Sequence, residues 1–292
     1  MSLIINPLVR KIVALALEED LSAGDVTASL TVPCGDRSHA RILAREELVV
    51  CGLDIVSVII EEGRFDAVFS RRMEEGSIAA ADDILAVVEG SSRDLLALER
   101  TALNFLQRIS GVATFTHRFV SSAASTLSVL DTRKTMPGFR TLDKYATRIG
   151  GARNHRGSLG DMVLVKNNHI DAHPQGMRGA LADIVKKKPL YMPWEVEVRD
   201  LEELRIALEF KPSVVMLDNF PDERVREAVA VVTEAFIASP SERPLVEVSG
   251  GVTSARLSFI STLGVDAASA GALTTQAPNV DISMRTSRIA AC

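Results

Sequence analysis

Cysteine is scarce in this chain. Only Cys34, Cys51 and Cys292 occur among 292 residues. An odd count without a C-x-x-C pair argues against a disulfide framework and a thiolate metal site, and it points to a reduced, cytoplasmic protein. Long hydrophobic runs are missing as well. No apolar stretch approaches the ~18 residues of a membrane span. The first apolar residues are interrupted by Arg10 and Lys11 and then by an acidic cluster, which is not a signal-peptide pattern. There is no basic excess either: 33 Lys and Arg stand against 38 Asp and Glu, a net charge of −5. Nothing therefore draws the chain as a whole to nucleic acid or to an anionic membrane, and any anion site must be local. The motifs G-x-x-x-x-G-K-[ST], G-x-G-x-x-G and G-x-S-x-G are absent in a usable context, and the histidines fall into no metal-ligand spacing.

The residues that are present are enough for a sizeable core, at 47% hydrophobic. Residues up to about 112 read as mixed α and β. The segment "VRKIVALALEEDL" has helical periodicity and runs into "SAGDVT", which reads as a turn-rich connector. "HARILAREELVVCG" and "GSIAAADDILAVVEG" carry strand patterns, and "LDIVSVIIEEG" a helical one. A long amphipathic helix follows from Ser91 onward. From residue 127 short β-branched runs alternate with helical segments. The runs are "LSVLDT", "MVLVKN", "WEVEVR", "VVMLDN", "LVEVSGG" and "DAASAGA". This alternation predicts a parallel sheet with buried strands. Six strands are fewer than the eight of a closed (β/α)8 barrel, so an incomplete barrel is expected. The tail "DISMRTSRIAAC" reads as a last strand returning to the first module.

Each of the six runs ends in polar or small residues, and in parallel β/α folds the carboxyl ends of the strands carry the site. Between residues 133 and 166 lie Arg133, Lys134, Arg140, Lys144, Arg148, Arg153, Arg156 and Lys166, against the acids Asp143 and Asp161. Arg140, Lys144 and Arg148 recur at i, i+4 and i+8, the pattern of a solvated helix face. Arg133, Lys134 and Lys166 at strand ends, and His155 and Arg156 in "RNHR", are candidate anion binders: a guanidinium forks onto carboxylate or phosphate, and lysine acts as a point charge. His169 in "KNNHI" reads equally well as a strand-end cap. Glu195 and Glu197 share one face of their strand, and Asp218 ends "VVMLD". The sequence leaves open whether these acids neutralise cations or hold Mg²⁺ and sugar hydroxyls. Ser249, Gly250 and Gly251, and then Gly271, follow the last two strands, where backbone N–H groups commonly cradle phosphate. The residues alone thus describe a site for a small polyanion with at least two acidic groups.

The segments "EEDLSAGDVT", "ERTALNFLQRISGVAT", "DTRKTMPGFR", "KYATRIGGARNHR", "DMVLVKNNHI", "EVEV", "VVMLDNF", "EVSGGV" and "GVDAASAGALT" occur in this order. With them the chain resembles the quinolinate phosphoribosyltransferase family from about residue 10 to 288. The resemblance implies an α/β fold: an N-terminal α/β sandwich over 1–112, joined by a tail at 278–292, and an incomplete, open β/α barrel over 113–277. It implies transfer of phosphoribose from phosphoribosyl pyrophosphate to quinolinate with decarboxylation, giving nicotinate mononucleotide, pyrophosphate and CO₂ for NAD biosynthesis, with Mg²⁺ as cofactor. It further implies a homodimer or a trimer of dimers, with Arg100 entering the neighbouring active site. Arg133, His155 and Arg156 match the family's binders of the quinolinate carboxylates. Lys134 and Lys166 match residues near the pyrophosphate, ribose and substrate carboxylate. Glu197, rather than Glu195, aligns with the family glutamate and pairs with Asp218 for the ribose hydroxyls and Mg²⁺. Ser249, Gly250, Gly251 and Gly271 match the 5′-phosphate cradle. Two positions depart from the family pattern: Thr275 replaces a common histidine, and Asn167 replaces an acid. Competing readings are a molybdenum-transport-type paralogue, which the intact "DTRKT", "NHR" and "VKNNHI" argue against, and a Schiff-base aldolase acting through Lys166.

Overall fold

The computed structural model describes residues 3–289. The elements run α1 (Pro7–Leu21), α2 (Val26–Thr31), β1 (Arg37–Ala44), β2 (Leu48–Val49), α3 (Asp54–Gly63), β3 (Ala67–Arg71), β4 (Ile78–Ala79), β5 (Ile84–Ser91) and α4 (Ser92–Val120). Then come β6 (Ser128–Leu130), α5 (Arg140–Ile149), β7 (Val163–Val165), α6 (Asn167–Asp171), α7 (Gly176–Lys187), β8 (Trp194–Val198) and α8 (Leu201–Glu209). The last are β9 (Val214–Asp218), α9 (Asp222–Ala235), β10 (Leu245–Ser249), α10 (Ser254–Ile260), β11 (Ala267–Ser269), α11 (Ala272–Thr275) and β12 (Ile282–Arg288).

Two compact units emerge. The first comprises residues up to Arg118, Thr135–Gly151 and the chain from Leu273 onward. Its antiparallel sheet has the order β12-β1-β5-β3. β12, in the tail, pairs with β1 from Ile282↔Ala44 to Arg288↔Ser38; residues 290–292 lie outside the described residues. Ala40, Ile42 and Ala44 alternate into the core, as period-2 patterning requires. α1 starts where Asn6 accepts the Val9 N–H at 3.0 Å, with Pro7 at its first position. It buries Val9, Val13 and Leu17, one helical stripe. "SAGDVT" is only partly the connector its composition suggests. Asp25 accepts the Ala28 N–H at 2.8 Å and so starts α2 directly after the turn at Gly24. Thr135–Gly151, which contains α5, clusters with this unit rather than with the β/α unit where the sequence reading had put it.

α5 also departs from the solvated face expected of it. It buries Leu142 to Thr147 without a break, and Lys144 is only 8% exposed. A lysine stem is long enough to lie along apolar surface, so a charged i, i+4 pattern alone does not identify the solvent side. Asp143, in the same helix, is ion-paired with Arg108 at 3.1 Å, and Arg108 also donates to the Thr274 carbonyl at 2.9 Å.

The second unit comprises Phe119–Lys134 and Ala152–Ala272. Its six strands are all parallel, in the order β6-β11-β10-β9-β8-β7. No ladder among the described residues joins β6 to β7, so the sheet is open. All five residues of β8 are buried, as expected of a parallel strand covered on both faces. The helices between strands begin at caps that the sequence supplies. Asp200 accepts the N–H groups of Glu202 and Glu203, both at 2.9 Å, and starts α8. Asp200→Ala is expected to cost about 1 kcal/mol. Urea unfolding checks this, with turnover unchanged because the cap lies away from the cavity described next.

Candidate active site

The register sets the carboxyl ends of the strands at one level. Ser249 of β10 pairs with Asp218 of β9 and with Ser269 of β11, and Ser269 pairs with Leu130 of β6. Glu197 of β8 pairs with Met216, two residues before Asp218. Above this level opens a cavity of about 330 Å³. Thr132, Arg133 and Lys134 line it after β6, Lys166 after β7, Glu197 on β8, Asp218 and Asn219 at the end of β9, and Ser249 to Gly251 after β10. His155 and Arg156 complete the polar lining, with Leu164, Met216 and Ser269 as the remaining wall.

The loop carrying His155 and Arg156 is held by Asp131, a strand-end residue to which the sequence alone assigns no role. Arg153 bridges Leu130 in parallel fashion and so extends the sheet edge by one residue. Asp131, fully buried, then accepts the His155 N–H at 2.8 Å and the Asn154 side-chain amide at 2.6 Å. The signal was available: Asp131 directly precedes the basic pair, and a lone buried acid at a strand end needs donors. Arg156 donates to the Met162 carbonyl at 3.1 Å. Burial, and then the charge of Arg133, pull its guanidinium below its usual range. The two guanidinia are thus near enough to repel.

Among the acids, Glu197 receives Lys166 Nζ at 2.8 Å and the Asn167 N–H at 3.4 Å. Burial, and next the charge of Glu197, push the Asp218 carboxyl up, against the pull of Asn219, Lys166 and Lys134. Two carboxylates this close in a hard-oxygen site suit Mg²⁺, which binds through one or two carboxylates plus substrate oxygens. His169 proves to be the cap: its Nδ1 accepts the Lys166 N–H at 2.8 Å and starts α6.

Glycine is required on the far loop. Gly250 has φ +88°, and a Cβ there would lie 2.2 Å from Asn219 Oδ1 and 3.0 Å from the Asn219 nitrogen. A Cβ on Gly271 would meet Lys134 Cδ at 2.9 Å, so the absence of a side chain leaves Lys134 its place. Arg256, also unforeseen, braces the loop from behind. It donates to the Gly250 carbonyl at 3.0 Å and the Phe220 carbonyl at 2.7 Å while paired with Asp222 at 2.8 Å.

Below the mouth lie two further acids. Glu195 is fully buried and Glu247 is 2% exposed. His155 Nε2 stands 3.1 Å from Glu195 Oε2 and 3.7 Å from Glu247 Oε2. Burial, and then the charge of Glu195, push the Glu247 carboxyl up to about 7, against the opposing pull of His155. Glu247 was legible in principle: it interrupts an apolar strand two residues before Ser249 and therefore shares its face. Three expected site residues do not line the cavity, although one of them, Gly271, stands beside Lys134. Arg100 is exposed on α4 and Thr275 is exposed at the end of α11, both in the first unit, and neither lines the cavity.

Residues 25–110 match the N-terminal domain, and residues 112–285 the C-terminal domain, of quinolinate phosphoribosyl transferase. A probable nicotinate-nucleotide pyrophosphorylase [carboxylating] of Methanocaldococcus jannaschii is 38% identical over 277 residues, covering 94% of this chain and 95% of that protein. The Mycobacterium leprae nicotinate-nucleotide pyrophosphorylase [carboxylating] is 36% identical over 94% of this chain and 96% of its own length. The solved structure of the Francisella tularensis nicotinate-nucleotide pyrophosphorylase superposes with a TM-score of 0.87 at 34% identity, covering 97% and 98% of the two chains.

Proposed function

The chain belongs to the quinolinate phosphoribosyltransferase family, and we propose that it transfers phosphoribose from phosphoribosyl pyrophosphate to quinolinate, with loss of CO₂, to give nicotinate mononucleotide for NAD biosynthesis. One observation carries this reading. A single cavity gathers Arg133, His155, Arg156 and Lys166 together with two carboxylates and a glycine loop. That set suits a dianionic aromatic acceptor beside a phosphorylated sugar.

Arg133 and Arg156 fork onto the acceptor carboxylates and fix the ring so that its nitrogen faces C1 of the donor. The nitrogen lone pair forms the new bond to C1 as the C1–oxygen bond breaks and pyrophosphate leaves with its electron pair. Lys134 neutralises charge on the leaving group. Glu197 and Asp218 hold the ribose hydroxyls and would also hold Mg²⁺, which when bound supplies further charge neutralisation to the pyrophosphate. Ser249 and the N–H groups of Gly250, Gly251 and Gly271 cradle the 5′-phosphate. With the ring nitrogen quaternised, the bond to the adjacent carboxylate breaks, its electrons stay on the ring carbon, CO₂ departs, and that carbon takes a proton from solvent.

A homodimer or hexamer, in which Arg100 of one copy enters the next copy's site, belongs to the same proposal and is supported by the exposure of Arg100. A cytoplasmic setting is supported by the free thiols of Cys34 and Cys51. Among the described residues no helix is long and apolar enough to cross a membrane. The aldolase reading is disfavoured by the 2.8 Å pair of Lys166 with Glu197, which engages the amine that would have to attack a carbonyl.

The acceptor itself provides the test. Purified protein with phosphoribosyl pyrophosphate and Mg²⁺ should convert quinolinate to nicotinate mononucleotide and leave nicotinate, which lacks the second carboxylate, essentially untouched. Equal turnover of nicotinate would remove the assignment of two carboxylate-binding arginines.

A further inference from the structure

Glu195 and Glu247 are unusual burials. Glu195 is fully enclosed and Glu247 is 2% exposed. Among the described residues Oε1 of Glu195 and Oε1 of Glu247 have no hydrogen-bond donor, and Oε2 of Glu195 is faced by His155 Nε2 at 3.1 Å. Burying acids in this state costs several kcal/mol per charge, and apolar side chains of similar volume generally hold a fold at least as well. Stability therefore does not explain why the two acids are here.

Their shared neighbour does. His155 Nε2 faces both, at 3.1 and 3.7 Å. The other ring nitrogen, Nδ1, accepts the backbone N–H of Arg156 at 2.7 Å. An Nδ1 that accepts cannot carry the proton, so the neutral ring carries it on Nε2, toward the acids. The ring thus spans from the buried acids to the backbone of Arg156, which lines the cavity.

We propose that Glu195 and Glu247 are positioning residues that fix the His155 tautomer and ring plane, and through its Nδ1 the placement of Arg156 against the acceptor. This deepens the proposed phosphoribosyl transfer and rests on it for the identity of the acceptor. In this arrangement His155 acts chiefly as a strut, with both ring nitrogens engaged by protein groups. The raised carboxyl of Glu247 fits the arrangement. Burial and the charge of Glu195 raise it, which limits the negative charge beneath a dianionic acceptor. Ser269 and Lys166 also face Glu247 and draw its carboxyl the other way.

The test compares wild type, Glu195→Ala and Glu195→Gln by steady-state kinetics with each substrate varied. Nitrogen-15 NMR of histidine-labelled wild type runs alongside, with His155 assigned through His155→Asn. Glu195→Ala should raise the quinolinate KM about tenfold, the loss of one charge-assisted hydrogen bond, while the donor KM stays within about twofold. Glu195→Gln should recover most of the loss, because an amide oxygen still accepts from Nε2–H. The wild-type spectrum should show His155 with its proton on Nε2. Unchanged quinolinate KM in Glu195→Ala, equal rises in both KM values, or a proton on Nδ1 would overturn the proposal. So would one equivalent of tightly held divalent metal that the purified wild type retains and His155→Asn loses, since His155, Glu195 and Glu247 would then be its ligands. The NMR readout needs no turnover, so a wild type inactive on quinolinate would count against the proposed reaction alone.

Discussion

Arg133→Ala should lower kcat/KM for quinolinate by about 10³ or more while leaving the fold intact. Arg133 lines the cavity beside Arg156, and its charge helps to pull the Arg156 guanidinium below its usual range. Two guanidinia this close repel one another, and an anion between them answers that repulsion. A dianion relieves the repulsion and receives forked hydrogen bonds. Losing one fork, two charge-assisted bonds at roughly 1.5–3 kcal/mol each, accounts for a loss of that order. The same reasoning fixes the sign of the stability change. Removing one of two repelling cations should leave the Tm of the substrate-free protein unchanged or slightly higher. Near-normal kcat/KM would remove Arg133 from the site, whereas a collapsed Tm would show that it serves the fold.

Gly250→Ala should strike the donor side instead. The residue sits at φ +88°, where a side chain costs roughly 1–2 kcal/mol. The added methyl would also meet Asn219, whose side chain can turn but whose backbone nitrogen, 3.0 Å away, cannot. The loop must shift, and Arg256 holds its carbonyl at 3.0 Å from behind. A displacement near 1 Å at a cradle of backbone N–H groups is worth about 10² in rate. The expected result is a kcat/KM for phosphoribosyl pyrophosphate lower by about that factor, with quinolinate binding, measured calorimetrically, within threefold of wild type. An equal loss for both substrates would contradict the division of the cavity into an acceptor side and a phosphate side.

The β/α unit was legible because each of its six strands is a short β-branched run closed by polar residues, and periodicity registers both features. Arg133, Lys134 and Lys166 stood out because they concentrate positive charge in an acidic chain. The supports behind them were harder to read. Asp131, Glu247 and Arg256 act through partners far away in sequence: Asp131 holds a loop 24 residues on, and Arg256 reaches back 36 residues to the Phe220 carbonyl. A lone acid or arginine carries no sign of its partner until the chain folds. Lys144 shows the opposite failure, a charged helical stripe taken for solvent exposure that its aliphatic stem made buriable. His155 lay between these cases. Its flanking arginines marked it as functional, but only the folded chain places its two nitrogens against Arg156 and the buried acids.

The central claim is most directly tested by measuring pyrophosphate and CO₂ together, using quinolinate labelled in the carboxyl group next to the ring nitrogen, with and without phosphoribosyl pyrophosphate. The account predicts the two products in a one-to-one ratio, formed only when both substrates are present. Release of CO₂ without the donor, or pyrophosphate release that does not depend on quinolinate, would contradict it.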